Sequence, residues 1–317
     1  MDEIFISSVL GTTLRMATPL LFCALAGLIS ERSGVIDIGL EGKMLMAAFA
    51  AASAGVATGS LVLALFVALI VALAASWLHG FACVTHRGDQ VVSGVAINII
   101  ALGITSVLGS AWYEMGGQTP PVSDTVRLVA LWPNLSDSVG GILGDGLLSH
   151  NALVYLAFAL VPAVWWLIWR TRFGLRLRAV GENPDMVEAA GVSVRTMRYM
   201  ALTLNGILCG LAGAYLVLAQ SASFVPNMTA GRGYMALAAM IFGKWHPVGA
   251  LWACLLFGFL DAVAIRLQGV PLPVVGEVPV QAIQVLPYVM TVVLLAGFIG
   301  KAVAPKALGK PYTKERV

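Results

Sequence analysis

Of the 317 residues, 59% are hydrophobic and only 11% are charged, and the mean hydropathy is +0.89. A soluble domain carries about 25% charged residues to present a wetted surface, so this chain must turn much of its surface to lipid. Its formal charge of +3 is too small to point to nucleic acid as a partner.

A hydrocarbon core about 30 Å thick asks for ~20 apolar residues per helix. Apolar spans fall at 8–29, 44–58, 60–82, 91–110, 151–169, 199–219, 225–243, 249–267 and 283–300. They must be helices, because each segment has to satisfy its own backbone N–H and C=O groups in lipid. The expectation is an all-α polytopic integral membrane protein, one domain over 1–317, with 8–10 transmembrane helices. No cleavable signal peptide is expected at the start. Asp2 and Glu3 replace the positive n-region, Arg15 interrupts the apolar stretch, and no A-x-A site ends it.

Between the first two spans, residues 30–43 (SERSGVIDIGLEGK) are interrupted by Gly34, Gly39 and Gly42. Within the long hydrophobic stretch that follows, Gly55, Gly59 and Ser60 supply a turn that divides it into two helices. The 111–150 loop sets Glu114, Asp124, Asp137 and Asp145 against Arg127 alone and reads as external. Residues 170–198 carry Arg170, Arg172, Arg176, Arg178, Arg195 and Arg198, and the tail over 301–317 carries Lys301, Lys306, Lys310, Lys314 and Arg316. Both regions are therefore placed in the cytoplasm, with Trp165, Trp166 and Trp169 as an interfacial belt. Two cytoplasmic regions are separated by an even number of crossings. The segment 225–243 must then cross as well, despite Pro226, Gly231, Arg232 and Gly233, as a broken helix lining a cavity. Counting backwards puts 84–90 and 30–43 inside and the N-terminus outside. One Gly-interrupted segment in each half is the usual pointer to a transporter site.

Catalytic signatures are missing. Gly42-Lys43 is followed by Met44 and Gly243-Lys244 by Trp245, so neither is a phosphate loop, and no G-x-S-x-G or H-E-x-x-H occurs. His79, His86, His150 and His246 stand singly, so neither a metal nor a cofactor is expected. Cys23, Cys83, Cys209 and Cys254 lie in apolar runs without paired spacing and read as reduced core residues. Gly144-Asp145-Gly146 has the look of an intramembrane protease sequence but has no partner aspartate at matching depth, and it reads as a turn.

Within the arginine-rich loop, Asn183 suits an N-cap, Pro184 the first helical position, Asp185 the positive helix end and Gly191 the C′ position. Together they predict a two-turn helix over 184–190, flanked by arginines. A helix under ~12 residues is marginal in water, so a partner surface is expected to hold it. On the residues alone, an ordinary connecting loop touching anionic lipid is an equal alternative.

Glu188-Ala189-Ala190-Gly191 resembles the EAA motif of ABC importer permeases. Three stretches, Ser30–Met46, Ala179–Gly213 and Gly231–Gly243, resemble permeases of the branched-chain amino acid, ribose and nucleoside importers, most of all the nucleoside and simple-sugar branch. The resemblance implies a transport subunit of the bacterial inner membrane that moves a small solute inward without hydrolysing ATP itself. The implied partners are ABC ATPase subunits, a second homologous permease and an extracytoplasmic substrate-binding lipoprotein, besides membrane lipids. Asn183, Pro184, Glu188, Ala189, Ala190 and Gly191 would couple to the ATPase. A branched-chain amino acid permease is the alternative within the family, and an ion-coupled secondary transporter the alternative outside it.

For the pathway the sequence nominates Gly34, Asp37, Gly39, Glu41, Asn98, Phe224, Gly233 and Tyr234. Asp37 and Glu41 are four apart and would share a face in a helix, clustered with Arg32 and Lys43. Asn98 and Asn205 are expected to hydrogen-bond between helices. Phe224 and Tyr234 flank the broken span, where packing competes with stacking on a purine base. Arg15 and Arg266 are expected to snorkel to an interface, and Asp261 to pair within the bundle.

Overall fold

The computed structural model describes residues 2–133, 138–267, 271–272, 276–277, 285, 289 and 303–313. The expected span at 283–300 lies outside the described residues apart from two isolated positions, as do Asp137, Lys301, Lys314 and Arg316. The principal helices are α1 (Asp2–Arg32), α2 (Leu40–Thr58), α3 (Leu61–Gly80), α4 (Gln90–Tyr113), α5 (Ala152–Arg170), α6 (Arg172–Glu182), α7 (Pro184–Ala189), α8 (Val194–Tyr215), α9 (Arg232–Phe242) and α10 (Pro247–Leu267). Among the described residues, seven helices are long and apolar enough to cross a membrane: α1 to α5, α8 and α10. The chain is an all-α multi-pass membrane protein; among the described residues, strand pairing is limited to Pro271–Leu272 with Gly276–Glu277, antiparallel, and a bridge between Ala130 and Asn151.

Polar residues between the apolar runs start the helices by accepting backbone N–H groups that have no helical partner. Asp89 accepts from Val92 at 2.9 Å, Asn151 from Leu153 at 3.1 Å, and Thr171 from Gly174 at 3.1 Å. Thr171 opens α6, a helix the sequence reading leaves inside a loop. Beyond their nominal ends, α3 and α8 continue through wide π-type turns at Phe81–Thr85 and Leu216–Ser221.

Helix α1 is central, with Leu20 through Ala26 and Leu28–Ile29 almost without exposure, and it packs on α5, α8, α9 and α10. Without water to drive association inside lipid, helices associate by close packing of small residues. Here Gly206 and Gly210 of α8 meet Leu73 and Leu69 of α3, where an added Cβ would lie 2.8 and 2.9 Å from their Cα atoms. Ala64, Ala68 and Ala72 are fully buried on α3. At the opposite end from the arginines, residues 119–128 of the loop after α4 fold over the end of α8. Thr119 N–H donates to Phe224 O at 3.1 Å, Val122 N–H to Ala222 O at 2.7 Å, and Leu128 N–H to Leu218 O at 2.7 Å.

The second irregular segment, expected as a broken span over 225–243, is helical only from Arg232 to Phe242, 11 residues that cannot cross alone. Its first half is a series of turns, with Asn227 and Ala230 in the left-handed region. The first irregular segment is likewise non-helical at 33–39, before α2 begins at Leu40.

Candidate functional site

The helices that follow the two non-helical segments meet at their starts. Glu41, in the first turn of α2, accepts the Gly231 N–H at 2.8 Å and the Gly233 N–H at 2.5 Å. A carboxylate at a helix N-terminus satisfies orphan donors and meets the positive end of the macrodipole. Glu41 thus caps α9 from another helix, and α9 needs this because its own N-cap, Gly231, has no side chain to do so. Gly233 lies so close beneath that a Cβ would stand 2.6 Å from Glu41 Cα.

Asn98 of α4 ties the same junction. Its Oδ1 accepts the Gly42 N–H at 2.8 Å, and its Nδ2 donates to Ile38 O at 3.0 Å and to the Tyr234 hydroxyl at 2.8 Å. Tyr234 is 47% exposed, so its ring keeps a free face while its hydroxyl is held. Phe224 is different: it is fully buried, edge-on to Phe49 with ring centroids 5.1 Å apart. Packing describes it.

Asp37 and Glu41 do not share a helical face, which corrects the sequence expectation. Asp37 lies before α2 and turns the other way, to an ion pair with Lys43 in which both side chains are fully buried. Burial of two charges is tolerable only when their remaining hydrogen-bonding capacity is met. Gly39 N–H donates to Asp37 Oδ1 at 3.1 Å, and Lys43 Nζ donates to Ser76 Oγ at 3.2 Å and to Asn205 Oδ1 at 3.1 Å. His79 Nε2 lies 2.9 Å from Ile36 O and its Nδ1 3.0 Å from Ser93 Oγ, while Gln90 Oε1 accepts the Ile36 N–H at 2.7 Å. Lys43, expected in this cluster, holds the segment together with Ser76, His79, Gln90 and Asn205, which the sequence does not nominate for it. The signal for Ser76, His79 and Asn205 is their polarity inside apolar spans. Arg32 stays outside the cluster: its guanidinium donates to Trp245 O at 3.1 and 2.8 Å and lies over the Trp169 ring. Arg15 and Arg266 are exposed and Asp261 is half-buried. An apolar cavity of about 400 Å³ between α2, α3 and α4, lined by Phe49, Thr105 and Trp112 among others, takes none of the nominated pathway residues.

At the arginine-rich end, Asn183 Oδ1 accepts the Met186 N–H at 3.1 Å, and Pro184 is the first residue of α7. Gly191 has φ +82 and ends the turn, with its N–H on Glu188 O at 2.9 Å. Contacts within the chain also hold this helix. Val187 is buried beneath it, and Glu188 Oε2 accepts the Val194 N–H at 3.0 Å, so that α7 caps α8. The outward side carries Asp185, Met186, Ala189 and Ala190, with Met186 69% exposed.

The family described as branched-chain amino acid transport system / permease component matches residues 9–295. The guanosine ABC transporter permease protein NupQ of Bacillus subtilis (strain 168) is 39% identical over 98% of this chain and 97% of its own. The nucleoside ABC transporter permease protein NupC of Lactococcus lactis subsp. cremoris (strain MG1363) is 36% identical over 97% of each chain. The guanosine ABC transporter permease protein NupP of Bacillus subtilis (strain 168) is 28% identical over 84% of this chain and 78% of its own.

Proposed function

Because the chain belongs to the family of branched-chain amino acid transport system permease components, we propose that it is the permease subunit of an ATP-driven importer carrying a nucleoside inward across a bacterial inner membrane. It is a transport subunit and not an enzyme. The names of its relatives NupQ and NupC support the solute class. Bacillus subtilis has two relatives of this chain named for guanosine transport, which supports a second homologous permease in the complex. An extracytoplasmic binding lipoprotein would deliver the solute at the end covered by the 111–150 loop.

The observation that carries the coupling role is α7: a short, capped helix, rigid on its own chain, that presents an apolar side chain to water. A rigid projection transmits the motion of an attached ATPase where a floppy loop would absorb it. In the membrane, the Glu41-capped start of α9 and the exposed ring of Tyr234 would form part of the path. Tyr234 has a face for a nucleobase and a hydroxyl already fixed by Asn98.

Full burial of a methionine contributes about 1.5–3 kcal/mol, and an aspartate in its place adds a desolvation cost. Met186→Asp is therefore expected to lose the co-purifying ATPase subunit while membrane insertion stays normal. Full retention of the ATPase by this variant would refute the docking role. For the solute, uptake of labelled guanosine by the reconstituted importer, challenged with excess ribose or leucine, separates the readings. Suppression by leucine alone would favour the amino acid alternative.

A further inference from the structure

The tail that returns to the arginine-rich end does more than lie there. Within four consecutive residues it joins three separate elements. Ala307 N–H donates to Gly181 O at 2.9 Å, at the end of α6 just before the docking helix. Gly309 N–H donates to Gly34 O at 3.1 Å, at the start of the first irregular segment. Arg198 Nη2 of α8 donates to Lys310 O at 3.2 Å. Two turn bonds of its own, Leu308 N–H to Pro305 O at 3.1 Å and Lys310 N–H to Ala307 O at 3.2 Å, stiffen the segment.

Side-chain space is as closely fitted. Gly309 has φ +75, and a Cβ there would lie 2.8 Å from Ile36 Cδ1. A Cβ on Gly34 would lie 3.2 Å from both Ala307 O and Arg198 Nη2. Ala307 is buried and Arg198 is 1% exposed.

Two residues span at most about 7 Å of extended chain and the turn bonds here take up part of that reach, so a movement of Ala307 with Gly181 larger than the remaining slack draws Gly309, and with it Gly34. Gly34 lies three residues before Asp37 and seven before Glu41, the residues fixed in the buried network and on the start of α9. We propose that residues 305–310 form a strap that positions the 33–41 segment from the docking helix, so that ATPase movement reaches the transport path through the tail. This rests on the docking role of α7 and adds the route by which it acts. Gly181, Gly34, Arg198 and Gly309 are positioning residues, since none is required to touch the solute.

The test uses the complete complex with its ATPase subunits and reads hydrogen exchange over residues 33–43 with and without a non-hydrolysable ATP analogue. This readout does not depend on knowing the solute. Two variants are compared with the parent: Gly309→Val, which strains the left-handed position at full chain length, and a chain ending at residue 302. A β-branched residue held in the left-handed region weakens the strap about tenfold. In both variants the ATP-dependent change in exchange is expected to fall by that factor or more, while the ATPase stays bound and basal hydrolysis persists. An unchanged exchange response in either variant overturns the proposal. Met186→Asp in parallel separates the two ideas: if it leaves the ATPase bound, the docking role has failed, whatever the strap variants do.

Discussion

Replacing Lys43 by Met tests whether the buried cluster fixes the first irregular segment. In the native protein Lys43 and Asp37 are both fully buried and paired, and Ser76, Asn205 and Gly39 meet their remaining hydrogen-bonding needs. Two unit charges 4 Å apart attract by about 4 kcal/mol at an effective dielectric of about 20, and together with the hydrogen bonds from Gly39, Ser76 and Asn205 this offsets the several kcal/mol needed to desolvate each ion. The pair is thus near balance, and its removal as a whole should be nearly neutral. Removing one partner is different, because a lone buried aspartate remains, at a cost of about 3–5 kcal/mol. Lys43→Met is expected to destabilise the purified permease by that amount, and Asp37→Leu/Lys43→Met to recover most of it. Thermal unfolding in detergent, followed through the permease's own tryptophans, reads both. If Lys43→Met unfolds with the parent, or if the double variant is as unstable as the sum of the two single changes, the ion pair does not organise this segment.

Two further outcomes follow from the geometry. Glu41→Gln leaves one acceptor oxygen for the Gly231 and Gly233 N–H groups, so one buried donor is stranded at about 1–3 kcal/mol; hydrogen exchange should accelerate at 231–233 and uptake should fall, and unchanged exchange would remove Glu41 as the cap of α9. Single cysteines at Asp124 and Lys306, in a background lacking the native four, should react with an impermeant reagent from opposite sides of the membrane; reaction of both from outside would overturn the topology read from the arginines.

The helices were legible wherever one local rule decided them. Apolar length marked the spans, and Asn183, Pro184 and Gly191 marked α7, because caps and punctuation act within a few residues. The two irregular segments were legible for the same reason, through their glycines. What they do to each other was not. Asp37 and Glu41 are four apart, and helical spacing alone put them on one face, yet the chain is non-helical at 37–39 and sends one to Lys43 and the other to α9. The partners that decide this, Ser76, Asn205, Asn98 and Gly233, are between 33 and 192 residues away from theirs. The polarity of Ser76, Asn98 and Asn205 inside apolar spans shows that each needs a partner, since an unsatisfied group there is costly. It does not say which partner. Phe224 shows the opposite limit: an aromatic beside a break suited a lining role by type, but Phe49 and the Thr119 backbone enclose it. Tyr234, ten residues on, keeps its ring partly exposed while Asn98 holds its hydroxyl. The two aromatics are therefore separated by tertiary contacts and not by residue type. Substituting Tyr234 should consequently disturb the path, whereas substituting Phe224 should first disturb the packing of α2.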